Sequence, residues 1–129
     1  MTNTALTESN RSIVTDFIDL FYTQHRVKEA FEKYVEPSYI QHNPMAADGR
    51  DVAIEILVPM FAEPGVRHDV KRIIVDGDFA AIHVHIVNGE GDRGTSVIDI
   101  YRLADGKIAE HWDVIQPVPA ASNNGHPMF

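Results

Sequence analysis

A chain of 129 residues with 44% hydrophobic content and a formal charge of −8 has the size of one domain. It lacks the basic surplus that a nucleic-acid backbone or an anionic membrane needs in order to replace counterions. The absence of cysteine excludes a disulfide scaffold and thiolate chemistry.

The first nine residues are polar and are expected to form a tail, as are residues 119–129. The opening has neither the basic start nor the apolar run of a secretory signal, and no stretch reaches the roughly 18 apolar residues of a membrane span. A cytoplasmic protein is therefore expected, with its domain over residues 10–118. Ile13, Val14, Phe17, Ile18, Leu20 and Phe21 recur at helical spacing with Asp16 and Asp19 off the stripe, which predicts a first helix to about Gln24. Val27, Ala30, Phe31 and Tyr34 predict a second, ending before Pro37. The segment Tyr39-Ile40-Gln41-His42-Asn43-Pro44 reads as a short strand or bend, because a residue before proline is pushed toward extended geometry. A third helix follows from Arg50 or Asp51 to Phe61, with Pro59 disturbing its last turn.

Everything further along reads as strand. Residues 66–75, 79–87, 95–103 and 107–115 are rich in alternating or β-branched side chains, and Asp76-Gly77-Asp78 and Ala104-Asp105-Gly106 mark tight turns between them. Three helices followed by hairpin-linked strands predict an α+β domain in which the helices pack on the concave face of a curved antiparallel sheet, around a cavity.

Strand alternation then sorts the chemistry. His83 and His85 share a face opposite Val84 and Ile86, Asp99 and Tyr101 lie opposite Ile98 and Ile100, and His111 and Asp113 lie opposite Trp112 and Val114. The polar faces can simply be wetted, as one side of an antiparallel sheet commonly is. They also carry Ala81, Val97 and Ile115, a mixture that suits the lining of a pocket, and the opposite aliphatic face would then need a partner subunit. Carboxyl and imidazole groups in an apolar pocket suit general acid/base chemistry, such as removing a proton α to a carbonyl. A metal-assisted alternative uses His83 and His85 with Asp99 or His111, although no recognised metal-ligand spacing supports it. Neither a nucleophile elbow nor a phosphate-binding glycine loop is present.

Three segments, YIQHNP at 39–44 followed by Gly49-Arg50, the His-x-His strand at 83–85, and DIYRLADGKIAEHWDV at 99–114, make the chain resemble the SnoaL-like branch of the nuclear transport factor two-like superfamily over roughly residues 10–118. The resemblance implies a cone-shaped α+β fold with a central pocket and a homodimer formed through the sheet. It also implies lyase- or isomerase-type chemistry of the polyketide cyclase kind, an aldol condensation or cyclisation of a carbonyl substrate without cofactor or metal. By similarity to ketosteroid isomerases of the same superfamily, Asp99 matches a pocket aspartate that acts as acid and hydrogen-bond donor, and His83, His85 and His111 fall at pocket-facing positions. Asn43 stands where the isomerases carry their carboxylate base, and the loop at 88–94 is shorter than the ligand loop of the cyclases. The expected catalytic groups are Asp99, His83, His85 and His111. Tyr39, His42, Asn43, Tyr101 and Asp113 are expected to orient the substrate. A noncatalytic ligand-binding domain using the same cavity is the alternative from a different class.

Overall fold

The structure, a computed structural model, describes residues 2–129. Helix α1 spans Asn3–Ile18 and takes in seven of the nine residues expected to be a tail, because the Thr2 hydroxyl accepts the Ala5 N–H at 3.0 Å and caps it. The same end of the helix is tied to the sheet. Asn10, buried, donates to the Gly77 carbonyl at 2.8 Å, and the Gly77 N–H donates to the Thr7 hydroxyl at 2.9 Å.

After Ile18 the helix widens into one π turn, Asp19–Thr23. A π turn takes an extra residue per revolution. Here it allows Leu20, Phe21 and Tyr22, consecutive in sequence, all to be buried. Helix α2, Val27–Tyr34, buries Val27, Ala30 and Phe31, and α3 spans Arg50–Ala62 with Pro59 inside its last turns. Only Phe61 of α3 is fully buried, while Ile56 and Met60 stay about half exposed.

The sheet has five strands, one more than the four long runs suggest. The segment after α2 forms β1, Val35–Gln41, and β2 to β5 are Val66–Asp76, Phe79–Asn88, Thr95–Ala104 and Lys107–Pro117. Their spatial order is β1-β5-β4-β3-β2. The last four make a hairpin-linked antiparallel meander, and β1 joins the edge parallel to β5, with Gln41 beside His111. Such a parallel contact cannot arise from a hairpin and closes across most of the chain.

Phe17 sits at the centre of the core between helices and sheet, with its ring 5.4–5.6 Å from those of Phe21, Phe31 and Tyr101. Ile82, Val84, Leu103 and Ile108 complete this layer, all at most 2% exposed. Full burial of each such side chain contributes about 1.5–3 kcal/mol. The other face of the sheet is open: Val114 is 67% exposed, Ile74 60% and Phe79 48%. With Ala81, Ile100 and Trp112 they line a shallow apolar groove. Among the described residues no helix is long and apolar enough to cross a membrane.

Candidate functional site

Between the inner sheet face and the helices lies a cavity of about 410 Å³. Its mouth is apolar, formed by Met45, Ile56, Leu57 and Met60 with Ile115 opposite, and its base is polar, formed by Tyr22, Asp99, Tyr101 and His111. Register explains the base. Across the β4–β5 pairing Asp99 stands directly opposite Asp113 and Tyr101 opposite His111, so these four side chains share a face. Tyr39, Gln41 and Asn43 enter from β1 and the turn after it.

At the base each polar atom has a partner. His111 Nε2 lies 2.8 Å from Asp99 Oδ1, and both residues are under 8% exposed. The Tyr22 hydroxyl donates to Asp99 Oδ2 and lies 2.7 Å from the Tyr101 hydroxyl. Its one proton is committed to the carboxylate, so at the second contact Tyr22 accepts and Tyr101 donates. His111 Nδ1 faces Gln41 Oε1 at 2.7 Å. The line Tyr101, Tyr22, Asp99, His111, Gln41 is thus continuous.

Asp113 is held differently. The Asn43 amide donates to both its oxygens, at 3.0 and 2.8 Å, and the nearest imidazole nitrogen, His111 Nε2, is 3.9 Å away. The Asn43 carbonyl oxygen is occupied by the Met45 N–H at 2.8 Å, which turns its amide nitrogen toward Asp113. Neither Lys nor Arg lines the cavity among the described residues. Asp99 and Asp113 share the cavity with two imidazoles, His111 and His68, and no fixed cation, so the cavity favours neutral or cationic ligands over anions.

The surroundings hold the phenols protonated. Burial, then the Asp99 carboxylate, pushes the Tyr22 and Tyr101 hydroxyls far above the ordinary tyrosine value. Tyr39 is raised by the same two causes, with Gln41 acting in the opposite sense. His68, on the β2 wall, stacks on Phe61 at 4.3 Å, and burial followed by the neighbouring His25 lowers it to about 4. It is a neutral imidazole whose buried Nδ1 has no partner.

Several sequence expectations need correction. His83 and His85 are not in the cavity. The β3–β4 register pairs Ile82 with Asp99 and Val84 with Val97, which puts the aliphatic side chains of β3 inside and both histidines on the outer face. There His83 bonds to Arg72 and to the Ser96 hydroxyl, and His85 bonds to the Arg93 carbonyl under the Phe129 ring. His42 is also outside. Its ring stacks on Trp112 at 4.7 Å and meets Glu110 at 2.6 Å. Asp99, His111, Tyr101, Tyr39, Asn43 and Asp113 do come together around the cavity.

The metal alternative built on His83 and His85 loses its ligands for the same reason. Asp99, His111 and Asp113 bring one donor atom each within 4.8 Å of one another, but a cation there would displace the hydrogen bond between Asp99 and His111. Sequence reading missed Tyr22, Gln41 and His68. Tyr22 continues the apolar stripe of the first helix and looks like core. Gln41 lies inside a segment read for its aromatic and its proline, and His68 sits in a strand whose bulge between Val70 and Arg72 disturbs alternation.

A family model described as a SnoaL-like domain matches residues 14–111. Among solved structures, a protein of unknown function from Mesorhizobium loti, described as NTF2-like, is 22% identical with a TM-score of 0.74, covering 85% of this chain and 93% of that one. A candidate ketosteroid isomerase from Kribbella flavida is 18% identical with a TM-score of 0.68, over 92% of this chain and 85% of that one. A candidate SnoaL-like polyketide cyclase from Jannaschia is 18% identical with a TM-score of 0.64, over 85% and 87%. No protein of curated function matches the chain.

Proposed function

The chain belongs to the SnoaL-like domain family, and on that footing we propose that it is a small-molecule enzyme performing acid/base chemistry on a neutral carbonyl compound, of the aldol-condensation or isomerase type. One observation carries the reading. A carboxyl group lies at the base of a largely apolar cavity with an imidazole on one oxygen and a tyrosine hydroxyl on the other.

A carbonyl compound seated there presents its α-carbon and oxygen to groups that can exchange protons. The hydrogen bond between Asp99 and His111 holds one proton across 2.8 Å. When the member without it takes the α-proton both are protonated, and either can donate a hydrogen bond to the enolate oxygen until the extra proton is returned to carbon or oxygen. Tyr22 and Tyr101, held protonated, keep Asp99 hydrogen-bonded through the chain from Tyr101 to Tyr22 to the carboxyl and never present a competing anion. Tyr39 and the amide-held Asp113 line the route in and orient hydroxyl or carbonyl substituents. The neighbours described as a candidate isomerase and a candidate cyclase have the same fold, which supports the class of reaction.

Screening cyclic and β-keto compounds by thermal shift, followed by turnover assays on the hits, tests the proposal. Asp99→Asn should lower turnover by about 10²–10⁴-fold with fold and ligand binding retained. Unchanged turnover would overturn the assignment. A noncatalytic ligand-binding domain is the second reading, favoured by the complete internal pairing of Asp99, His111 and Asp113. Tight binding without turnover in any hit would select it.

The outer groove supports a further assignment. We read Ile74, Phe79, Ile100, Trp112 and Val114 as the contact face of a homodimer, because an apolar sheet face this exposed is costly to leave in water.

A further inference from the structure

Gln41 takes no part in the chemistry above, yet it touches the imidazole that does. Its side-chain oxygen lies 2.7 Å from His111 Nδ1, and the same oxygen receives the backbone N–H groups of His42 at 3.1 Å and Asn43 at 3.2 Å. A backbone N–H can only donate. Two such donors fix the amide with its oxygen toward His111, so the contact to Nδ1 is a hydrogen bond only when Nδ1 carries the proton.

The backbone holds this arrangement in place. Gln41 and His111 are register partners in the parallel β1–β5 pairing, and the His42 N–H is shared, reaching the His111 carbonyl at 3.0 Å as well as the Gln41 oxygen. The Gln41 N–H is itself bound by Asp48 at 2.8 Å, so the strand end cannot swing away without breaking that bond too.

We propose that Gln41 is a positioning residue that fixes His111 with its proton on Nδ1, leaving Nε2 as the one ring atom that exchanges a proton with Asp99. In the opposite tautomer, bare Nδ1 would face the amide oxygen, two lone pairs at hydrogen-bond distance. Nε2 would meanwhile be locked as a donor to Asp99, and the ring's one basic atom, Nδ1, would point away from Asp99 and against the amide oxygen. The amide oxygen therefore determines which of the two nitrogens is usable. The value of this to a reaction rests on the acid/base reading of the site, but the tautomer itself does not.

Histidine-selective ¹⁵N labelling with long-range ¹H–¹⁵N correlation reads both nitrogens without any substrate. The His111 signals are picked out among the seven histidines by their loss in His111→Gln. A protonated, slowly exchanging Nδ1 is expected in the wild type and in Gln41→Glu, which keeps an acceptor at this place. In Gln41→Met, Nδ1–H should lose its protection or the ring should shift to the other tautomer. A bare Nδ1 in the wild type, or an unchanged protected Nδ1–H in Gln41→Met, overturns the proposal. Should Gln41→Met fail to fold by circular dichroism, the wild type and Gln41→Glu decide: protonated Nδ1 in both supports it, and bare Nδ1 in either overturns it. With a turned-over carbonyl compound in hand, Gln41→Met should lower kcat more than it raises KM, and Gln41→Glu should rescue it. If Asp99→Asn retains turnover while the spectra are as expected, the acid/base reading fails and the tautomer assignment stands.

Discussion

The Tyr22 hydroxyl donates to Asp99 from 77 residues earlier in the chain, and a single π turn is what aims it there. Phenylalanine at 22 would leave one oxygen of a buried carboxylate without its donor. Tyr22→Phe should therefore cost about 1–3 kcal/mol in chemical denaturation and lower turnover by at least tenfold. Tyr101→Phe removes only the donor to Tyr22 and should cost less on both counts. Equal effects would show that the hydroxyl chain does not run from Tyr101 through Tyr22 to Asp99.

His68 makes stability depend on pH. Its folded value of about 4 lies below the ordinary 6.5, so between those values the unfolded chain binds a proton that the folded chain does not. Stability from this group is complete above about pH 6.5 and is lost as the pH falls toward 4. The loss should be about 2 kcal/mol, allowing for the part of the ring that faces the open cavity. Melting temperatures of His68→Phe across pH 4–7 should show a flatter slope than the wild type.

Replacing His83 or His85 by alanine should leave cavity ligands bound within about twofold, since both side chains lie on the far side of the sheet. Fluorescence titration of a thermal-shift hit provides the measurement. A tenfold loss of affinity would contradict the placement.

An arginine at 114 puts a charge in the middle of the outer apolar groove. Light scattering should report a dimer for the wild type and a monomer for Val114→Arg, with the circular dichroism spectrum unchanged. A monomeric wild type would refute the dimer.

Gly91 and Gly94 share a φ of +79°, yet an added methyl group meets nothing near Gly91 and collides with the Ile86 carbonyl and the His85 ring at Gly94. Alanine at either position incurs the left-handed backbone penalty of about 1 kcal/mol. Only Gly94→Ala should lose a further 1–3 kcal/mol, and the difference between the two denaturation curves isolates the collision.

Much of this molecule is legible in its residues. The helical stripes of α1 and α2 and the turns Asp76-Gly77-Asp78 and Ala104-Asp105-Gly106 announce themselves, and from them follow the helices-on-sheet architecture and the shared face of Asp99, Tyr101, His111 and Asp113. Alternation defines the two faces of a strand but does not say which face of one strand meets which face of the next, because a one-residue slip exchanges them. That is why His83 and His85 look like partners of Asp99 until Ile82 is found opposite it. Gln41 and Tyr22 were hidden for another reason: their importance comes from a parallel contact and a π turn, and neither leaves a local periodic trace.

The parallel seam between β1 and β5 also bears on how the protein reaches its native state. Gln41 and His111 are 70 positions apart, so their pairing pays nearly the full entropy of closing the chain, whereas the β2 to β5 meander assembles from neighbours. The meander should form first and the edge strand dock late. Until it docks, His111 has Asp99 beside it but lacks Gln41, and Asp113 lacks Asn43. Turnover of the proposed carbonyl substrate should thus lag behind the recovery of β-sheet signal in a refolding experiment, and the delay would report the arrival of a single strand.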